Sequence, residues 1–130
     1  MDLDEFRRWL AQAQHTLASA EKDLQEGDFD WACFKAQQAG EYALKGLLRG
    51  LGKPAYGHST KRLLESLEAA GVTVSQELLE AAQELDIHYV PARYPDVYPE
   101  GSPFEYYNSK RAREALQAAQ RILAWIQEAL

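Results

Sequence analysis

The chain has 130 residues, enough for one domain whose core needs no disulfide or metal as a staple. Hydrophobic residues make up 46% and charged residues 26%, a globular balance that excludes intrinsic disorder. The formal net charge of -6 argues against bulk electrostatic capture of nucleic acid, and Cys33, the single cysteine, rules out an intrachain disulfide.

The opening Met1-Asp2-Leu3-Asp4-Glu5 is acidic, unlike a secretory signal, and no apolar run approaches the roughly 18 residues of a membrane span. A cytoplasmic protein without membrane contact is expected, and a lone thiol fits a reducing compartment. From Asp2 to Gln25 the apolar residues Leu3, Phe6, Leu10, Ala13, Leu17, Ala20 and Leu24 recur in steps of three and four, which predicts a helix closed by Gly27. Asp28 or Asp30 caps a second long helix that runs to about Leu51 and stops at Gly52 and Pro54. Its buried side holds Ala32, Ala36, Ala39, Gly40, Ala43, Leu44, Leu47, Leu48 and Leu51, so a tight helix crossing is expected around residues 36–43.

At 100° per residue, Lys35, Gln38, Glu41, Tyr42, Lys45 and Arg49 fall opposite those alanines, with Trp31 and Phe34 on the same flank. Large aromatic rings on a polar face need a cover. Either another helix of this chain supplies it, or Trp31, Phe34 and Tyr42 form a partner or dimer interface. Positive charge also gathers here: between Tyr42 and Leu64 stand Lys45, Arg49, Lys53, Lys61 and Arg62, with no Asp or Glu.

Ser59 caps a shorter helix carrying Leu63, Leu64, Leu67 and Ala70, ended by Gly71. Just before it, Tyr56-Gly57-His58-Ser59 with Lys61 and Arg62 reads as an anion site built on free N–H groups, or else as a capped, solvated turn. Ser75 caps a fourth helix, with Leu78, Ala82, Leu85 and Tyr89 on one face and Pro91 as its stop. The segment Asp86 to Asp96 concentrates acids, His88, Tyr89, Arg93 and Tyr94 beside a proline-stiffened loop. Arg93 there suits a phosphate, and Tyr89 or Tyr94 a stacked base; the alternative is a local Arg93–Asp96 pair with tyrosines packed as hydrophobes. Ser102-Pro103-Phe104-Glu105 has the form of a capping box and opens the last helix, which turns Ala112, Ala115, Leu116, Ala119, Ile122, Leu123 and Ile126 inward.

Long rods joined by short turns predict an all-α, up-and-down antiparallel bundle of four to five helices in a single domain over 1–130. His15, His58 and His88 lie far apart and no Cys-x-x-Cys or His-Glu-x-x-His occurs, so neither metal nor cofactor is expected. Cys33, set among alanines, reads as a small core residue. No catalytic residue is assigned.

Three segments taken together, Asp30-Trp31-Ala32-Cys33-Phe34-Lys35-Ala36-Gln37-Gln38-Ala39-Gly40-Glu41-Tyr42-Ala43-Leu44-Lys45, Gly57-His58-Ser59 and Ala92-Arg93-Tyr94-Pro95-Asp96, resemble the prokaryotic HEPN domain. The resemblance implies a bundle of four long helices, usually a homodimer, and frequent pairing with a minimal nucleotidyltransferase in a two-gene, toxin–antitoxin-like module. It also implies nucleotide binding, which carried onto this chain falls on Lys35, Gln38, Glu41, Lys45, His58, Arg93, Tyr94 and Asp96. The ribonuclease branch of the family bears Arg, four to six residues, then His late in the domain. No His follows His88 here, and Arg8 with His15, though suitably spaced, lies on the first helix. The expectation is therefore an accessory subunit that binds a nucleotide, a nucleotidyltransferase partner or both. The alternatives are a ribonuclease toxin using His58 or His88 as general base with Arg93 on the scissile phosphate of RNA, and a purely structural homodimer.

Overall fold

The computed structural model describes residues 1–129, which form five α-helices and, among the described residues, no strand. They are α1 (Leu3–Glu26), α2 (Phe29–Gly50), α3 (Thr60–Ala69), α4 (Gln76–Asp86) and α5 (Ser109–Glu128). Single 3-10 turns at Pro95–Val97 and Pro103–Tyr106 punctuate the connection between α4 and α5. The expected all-α bundle is what forms. No helix among the described residues is long and apolar enough to cross a membrane.

Local chemistry explains most helix ends. The side chains of Asp2, Ser59, Ser75 and Asn108 each accept a hydrogen bond from a backbone N–H three residues on, satisfying a donor the helix leaves open. Gly27 closes α1 at a φ of 83°, where a side chain would be strained. The cap position of α2 is Asp28 rather than Asp30, although its side chain makes no capping bond. Leu51, expected inside, is the exposed residue that ends α2.

Two boundaries differ from the periodicity. Helix α4 ends at Asp86, so Tyr89 belongs to the following turns and not to the helix face. The last helix begins at Ser109, not at Ser102. The backbone N–H of Ser102 does donate to Glu105 at 2.7 Å, but this opens one 3-10 turn only. Tyr107 then swings to an extended conformation (φ -110°, ψ 147°) that puts its ring in the core, and Asn108 caps the helix afresh.

Helix α2 is central. Helix α1 runs antiparallel to it, tied at one end by Asp2 N–H to Gly50 O (2.8 Å) and near the other by Lys35 to Asp23 (2.8 Å). Around Gly40 three elements converge: a Cβ there would lie 2.8 Å from Leu85 of α4, 3.6 Å from Thr60 of α3 and 3.8 Å from Ile122 of α5. This is the tight crossing expected at residues 36–43. A second close approach, which the sequence does not announce, lies on the α1 side, where a Cβ at Gly46 would stand 2.7 Å from the Cβ of Trp9.

Enclosure on several sides covers much of the polar face: Glu41 is buried and Lys35, Gln38, Tyr42 and Lys45 are half-buried, while Arg49 stays exposed. Thirteen of the 22 residues of α2 are buried, and Gln37 and Glu41 are among them. The helix is polar on that side because its polar groups satisfy one another beneath α3 and the loop after α4.

The two glycine contacts differ in kind, and this yields a test. At Gly40 the nearest atom is the tip of a flexible leucine, whereas at Gly46 it is a Cβ rooted on the α1 backbone. Gly46→Ala is expected to cost about 2 kcal/mol even after the roughly 1 kcal/mol gain in helix propensity, and Gly40→Ala clearly less. Urea denaturation of both variants checks the order.

Candidate ligand-binding ridge on the central helix

A buried carboxylate is stable as an anion only when paired. Glu41, 5% exposed, meets Lys45 Nζ at 3.0 Å through one oxygen and His58 Nδ1 at 3.2 Å through the other. Gln38 Nε2 approaches it at 3.3 Å, and Gln38 also donates to Gln37 Oε1 at 2.8 Å. Gln37 in turn donates to the backbone carbonyl of His58 at 2.7 Å, pinning the turn before α3 to α2. Four of the eight positions expected to contact a ligand, Gln38, Glu41, Lys45 and His58, thus form one network, with Gln37 as an unexpected member.

The network continues through rings. The His58 imidazole, its side chain 54% exposed, stacks on Tyr89 with centroids 4.4 Å apart and planes 14° from parallel. The Arg93 guanidinium lies 4.7 Å from the same Tyr89 ring, 4.2 Å from Phe34 and 5.0 Å from Tyr94. Its Nε donates to the Tyr89 carbonyl at 2.9 Å. Trp31 meets Phe34 edge-on at 6.1 Å and leaves much of its own surface in solvent.

Arg93 has no ion-pair partner among the described residues, and its remaining N–H groups have no protein acceptor there. The expected local pair with Asp96 does not form; Asp96 is exposed on the following 3-10 turn. Aromatic faces hold the cation by their quadrupoles without neutralising it. Arg93 and Tyr94 therefore adjoin the Glu41 network, through Tyr89.

Lys35 stands apart from this ridge. It faces α1, where Asp23 takes its charge at 2.8 Å and Ser19 Oγ lies 3.0 Å away. Tyr42 is half-buried against Trp9 of α1, with centroids 6.1 Å apart, so the same chain covers it.

The open N–H groups expected before α3 are not open. The Asp86 carboxylate, from the end of α4, accepts from Thr60 N (2.8 Å), Thr60 Oγ1 (2.7 Å), Lys61 N (3.1 Å) and Ser59 Oγ (2.9 Å). An anion does sit at this helix N-terminus, and it is the protein's own. Beside it an open groove of about 510 Å³ is walled mainly by Ile87, Tyr89, Val90 and Pro91, with His58 at its edge.

Sequence reasoning misses a buried polar cluster. His88 is 1% exposed; its Nδ1 lies 2.9 Å from the Tyr107 hydroxyl and its Nε2 3.1 Å from Glu84. Burial, aided by the Arg111 charge, pushes the imidazole down to about 4, so it is neutral near pH 7. Burial and Glu114 raise the Glu84 carboxyl, while Arg111 opposes them. Burial likewise lifts the Cys33 thiol to about 12, as suits the expected inert core residue. The four-residue spacing of Glu84 and His88 is visible in the sequence, but nothing there indicates that Tyr107 folds back onto them.

The HEPN domain model matches residues 6–129. Among solved structures, the chain is similar to TT1696 from Thermus thermophilus, at 48% identity and a TM-score of 0.94, with 100% of each chain covered. It is similar to ST0689, an archaeal HEPN homologue, at 38% identity and a TM-score of 0.82, covering 96% of this chain and 97% of that one. A HEPN domain protein from Thermotoga maritima (tm0613) shares 30% identity and a TM-score of 0.75, with 94% and 96% covered. No curated protein matches the chain closely. The match extends over nearly every residue of the bundle, and the chain belongs to the HEPN domain family.

Proposed function

We propose that this HEPN chain is a non-catalytic accessory subunit that binds a nucleotide on the ridge formed by His58, Tyr89, Arg93 and Tyr94, and that it serves a minimal nucleotidyltransferase partner in a toxin–antitoxin-like module. One observation carries the ligand half: Arg93 is held by three rings and one carbonyl yet has no ion-pair partner among the described residues. A guanidinium so placed suits the fork geometry of a phosphate. The exposed ring of Tyr94 offers a base a stacking face, and His58, its Nδ1 turned to Glu41, keeps Nε2 for a further contact. Repulsion between Glu41 and the phosphate is offset by Lys45, whose ammonium sits 3.0 Å from the carboxylate. Trp31 and the apolar groove at Ile87 and Val90 remain for a protein surface, either the partner or a second copy in a homodimer.

Calorimetric titration of ATP, GTP and a short RNA into the purified protein tests this. Binding is expected, weakened about tenfold to a hundredfold in Arg93→Ala, the effect of losing one charge-assisted contact. Absence of heat from every ligand, or an Arg93→Ala protein that binds as wild type does, removes the ligand half. Cleavage of the RNA that vanishes in His58→Ala favours the ribonuclease reading instead. His88 is too deeply buried to act as its base. The partner half predicts a minimal nucleotidyltransferase encoded beside this gene and co-purifying with its product.

A further inference from the structure

The residues between α4 and α5 form a loop whose two ends meet. His88, just past α4, and Tyr107, just before α5, join through the 2.9 Å bond between Nδ1 and the phenol hydroxyl. Everything from Tyr89 to Tyr106 lies between those two residues. With Nε2–H directed to the Glu84 carboxylate, Nδ1 of a neutral imidazole has a lone pair and the Tyr107 hydroxyl donates to it. Glu84 thus sets the tautomer that lets Tyr107 bind.

Inside the loop, further contacts run from the joined ends towards Arg93. Tyr106 stacks on Tyr98 with centroids 4.0 Å apart and planes 14° from parallel. The Tyr98 hydroxyl donates to the Pro91 carbonyl at 2.8 Å, and Tyr106 donates to the Glu100 carbonyl. Arg93 N–H donates to Val90 O at 3.0 Å, which closes the turn that presents the guanidinium. On the other side His88 is followed directly by Tyr89, whose ring and carbonyl both hold Arg93. Arg93 therefore sits on a ring of contacts that the His88–Tyr107 bond shuts, while Ala92 and Pro103 of the loop are buried and Phe34 of α2 packs against Tyr89 and Arg93. A loop of this length loses considerable freedom on closure, so a buried bond at its neck adds to the packing of α4 on α5 in keeping it shut.

We propose that Glu84, His88 and Tyr107 are positioning residues: a buried clasp that shuts the 89–106 loop and holds Arg93 stacked and ready for its ligand. The ligand part rests on the nucleotide reading above, while the clasp is measurable without any ligand. Trypsin cuts after arginine, and Arg93–Tyr94 lies within the loop. Tyr107→Phe removes the hydroxyl and keeps the ring, so the core stays filled. The expected result is cleavage after Arg93 about tenfold faster than in wild type, with cleavage after Arg62 and Arg121 unchanged, and a several-fold loss of nucleotide affinity. Phe104→Ala, on the same loop but exposed and outside the clasp, is expected to behave as wild type.

Tyr107→Phe that is cut after Arg93 at the wild-type rate overturns the proposal. So does a rise of equal size at every arginine, which marks general destabilisation. If wild type takes up no nucleotide but the Arg93 bond still opens selectively, the clasp stands and the ligand reading falls. If wild type binds and Tyr107→Phe binds equally well, Arg93 does not depend on the clasp.

Discussion

Asp86→Ala is expected to destabilise the domain by about 3 kcal/mol, a fall in Tm of about 10 °C for a chain of this size. The carboxylate accepts four hydrogen bonds, two from the first backbone N–H groups of α3 and two from the hydroxyls of Ser59 and Thr60. Deleting a single capping side chain costs about 1 kcal/mol, and partly buried donors left without an acceptor add the penalty of desolvation. Asp86 also ends α4, so the same side chain docks α4 against the start of α3. Ser59→Ala removes the bond to Arg62 N and one bond to Asp86 but leaves the carboxylate in place, and should cost about 1 kcal/mol. Thermal unfolding of the two variants checks the ranking. Equal losses would show that Asp86 adds nothing beyond an ordinary cap.

That contact also marks where the sequence stops being legible. Ser59, Lys61 and Arg62 advertise a helix start that welcomes an anion, and the structure places one there. Its identity is hidden from the sequence, because Asp86 arrives from more than twenty residues away and no local pattern pairs the two. The helices themselves are legible, since Leu3 to Leu24 and Ala112 to Ile126 repeat at a helical period and Ser59, Ser75 and Gly27 punctuate them. Local pattern extends the last helix too far back because Ser102 and Glu105 do form the expected bond, and only the core's demand for Tyr107 breaks the helix after one turn.

Helix α2 shows the same division. A helical wheel distinguishes an alanine face from a polar one but assumes a single buried side. With α1, α3, α4 and α5 all close to α2, both sides are covered. Glu41 then becomes the buried centre of a charge network instead of a solvent group, and Lys35, earlier on the same helix, is drawn to Asp23 on the opposite flank. Gly46 looks like a weak helix position because only the path of α1 reveals that Trp9 needs the space. Within the candidate site, Gln38, Glu41, Lys45, His58, Arg93 and Tyr94 are nominated by the resemblance to the HEPN family. Periodicity assigns Tyr89, the ring that joins the two halves, to the fourth helix, and only the chain's departure from that helix at Asp86 frees it for His58 and Arg93.

His88 supplies the other large effect, and it depends on pH. The imidazole falls from its ordinary 6.5 to about 4 because burial disfavours its charged form. The unfolded chain therefore takes up a proton before the native state does. Stability is whole above pH 6.5, declines as pH falls towards 4, and levels off below that, a loss of about 3 kcal/mol from this group. Glu84 acts in the opposite sense: its carboxyl is raised in the fold, so protonation at low pH favours the native state and offsets part of the loss. Arg111 from α5 keeps a positive charge near His88 throughout, while the Tyr107 phenol and the Cys33 thiol from α2 remain neutral across this range, both being raised by burial. Replacing the imidazole in His88→Gln should lower stability at pH 7 by breaking the clasp, yet flatten the decline between pH 6.5 and 4. Urea midpoints measured across that interval give both slopes. Parallel slopes for wild type and variant would mean that another group drives the acid limb and that His88 is not held neutral by the fold.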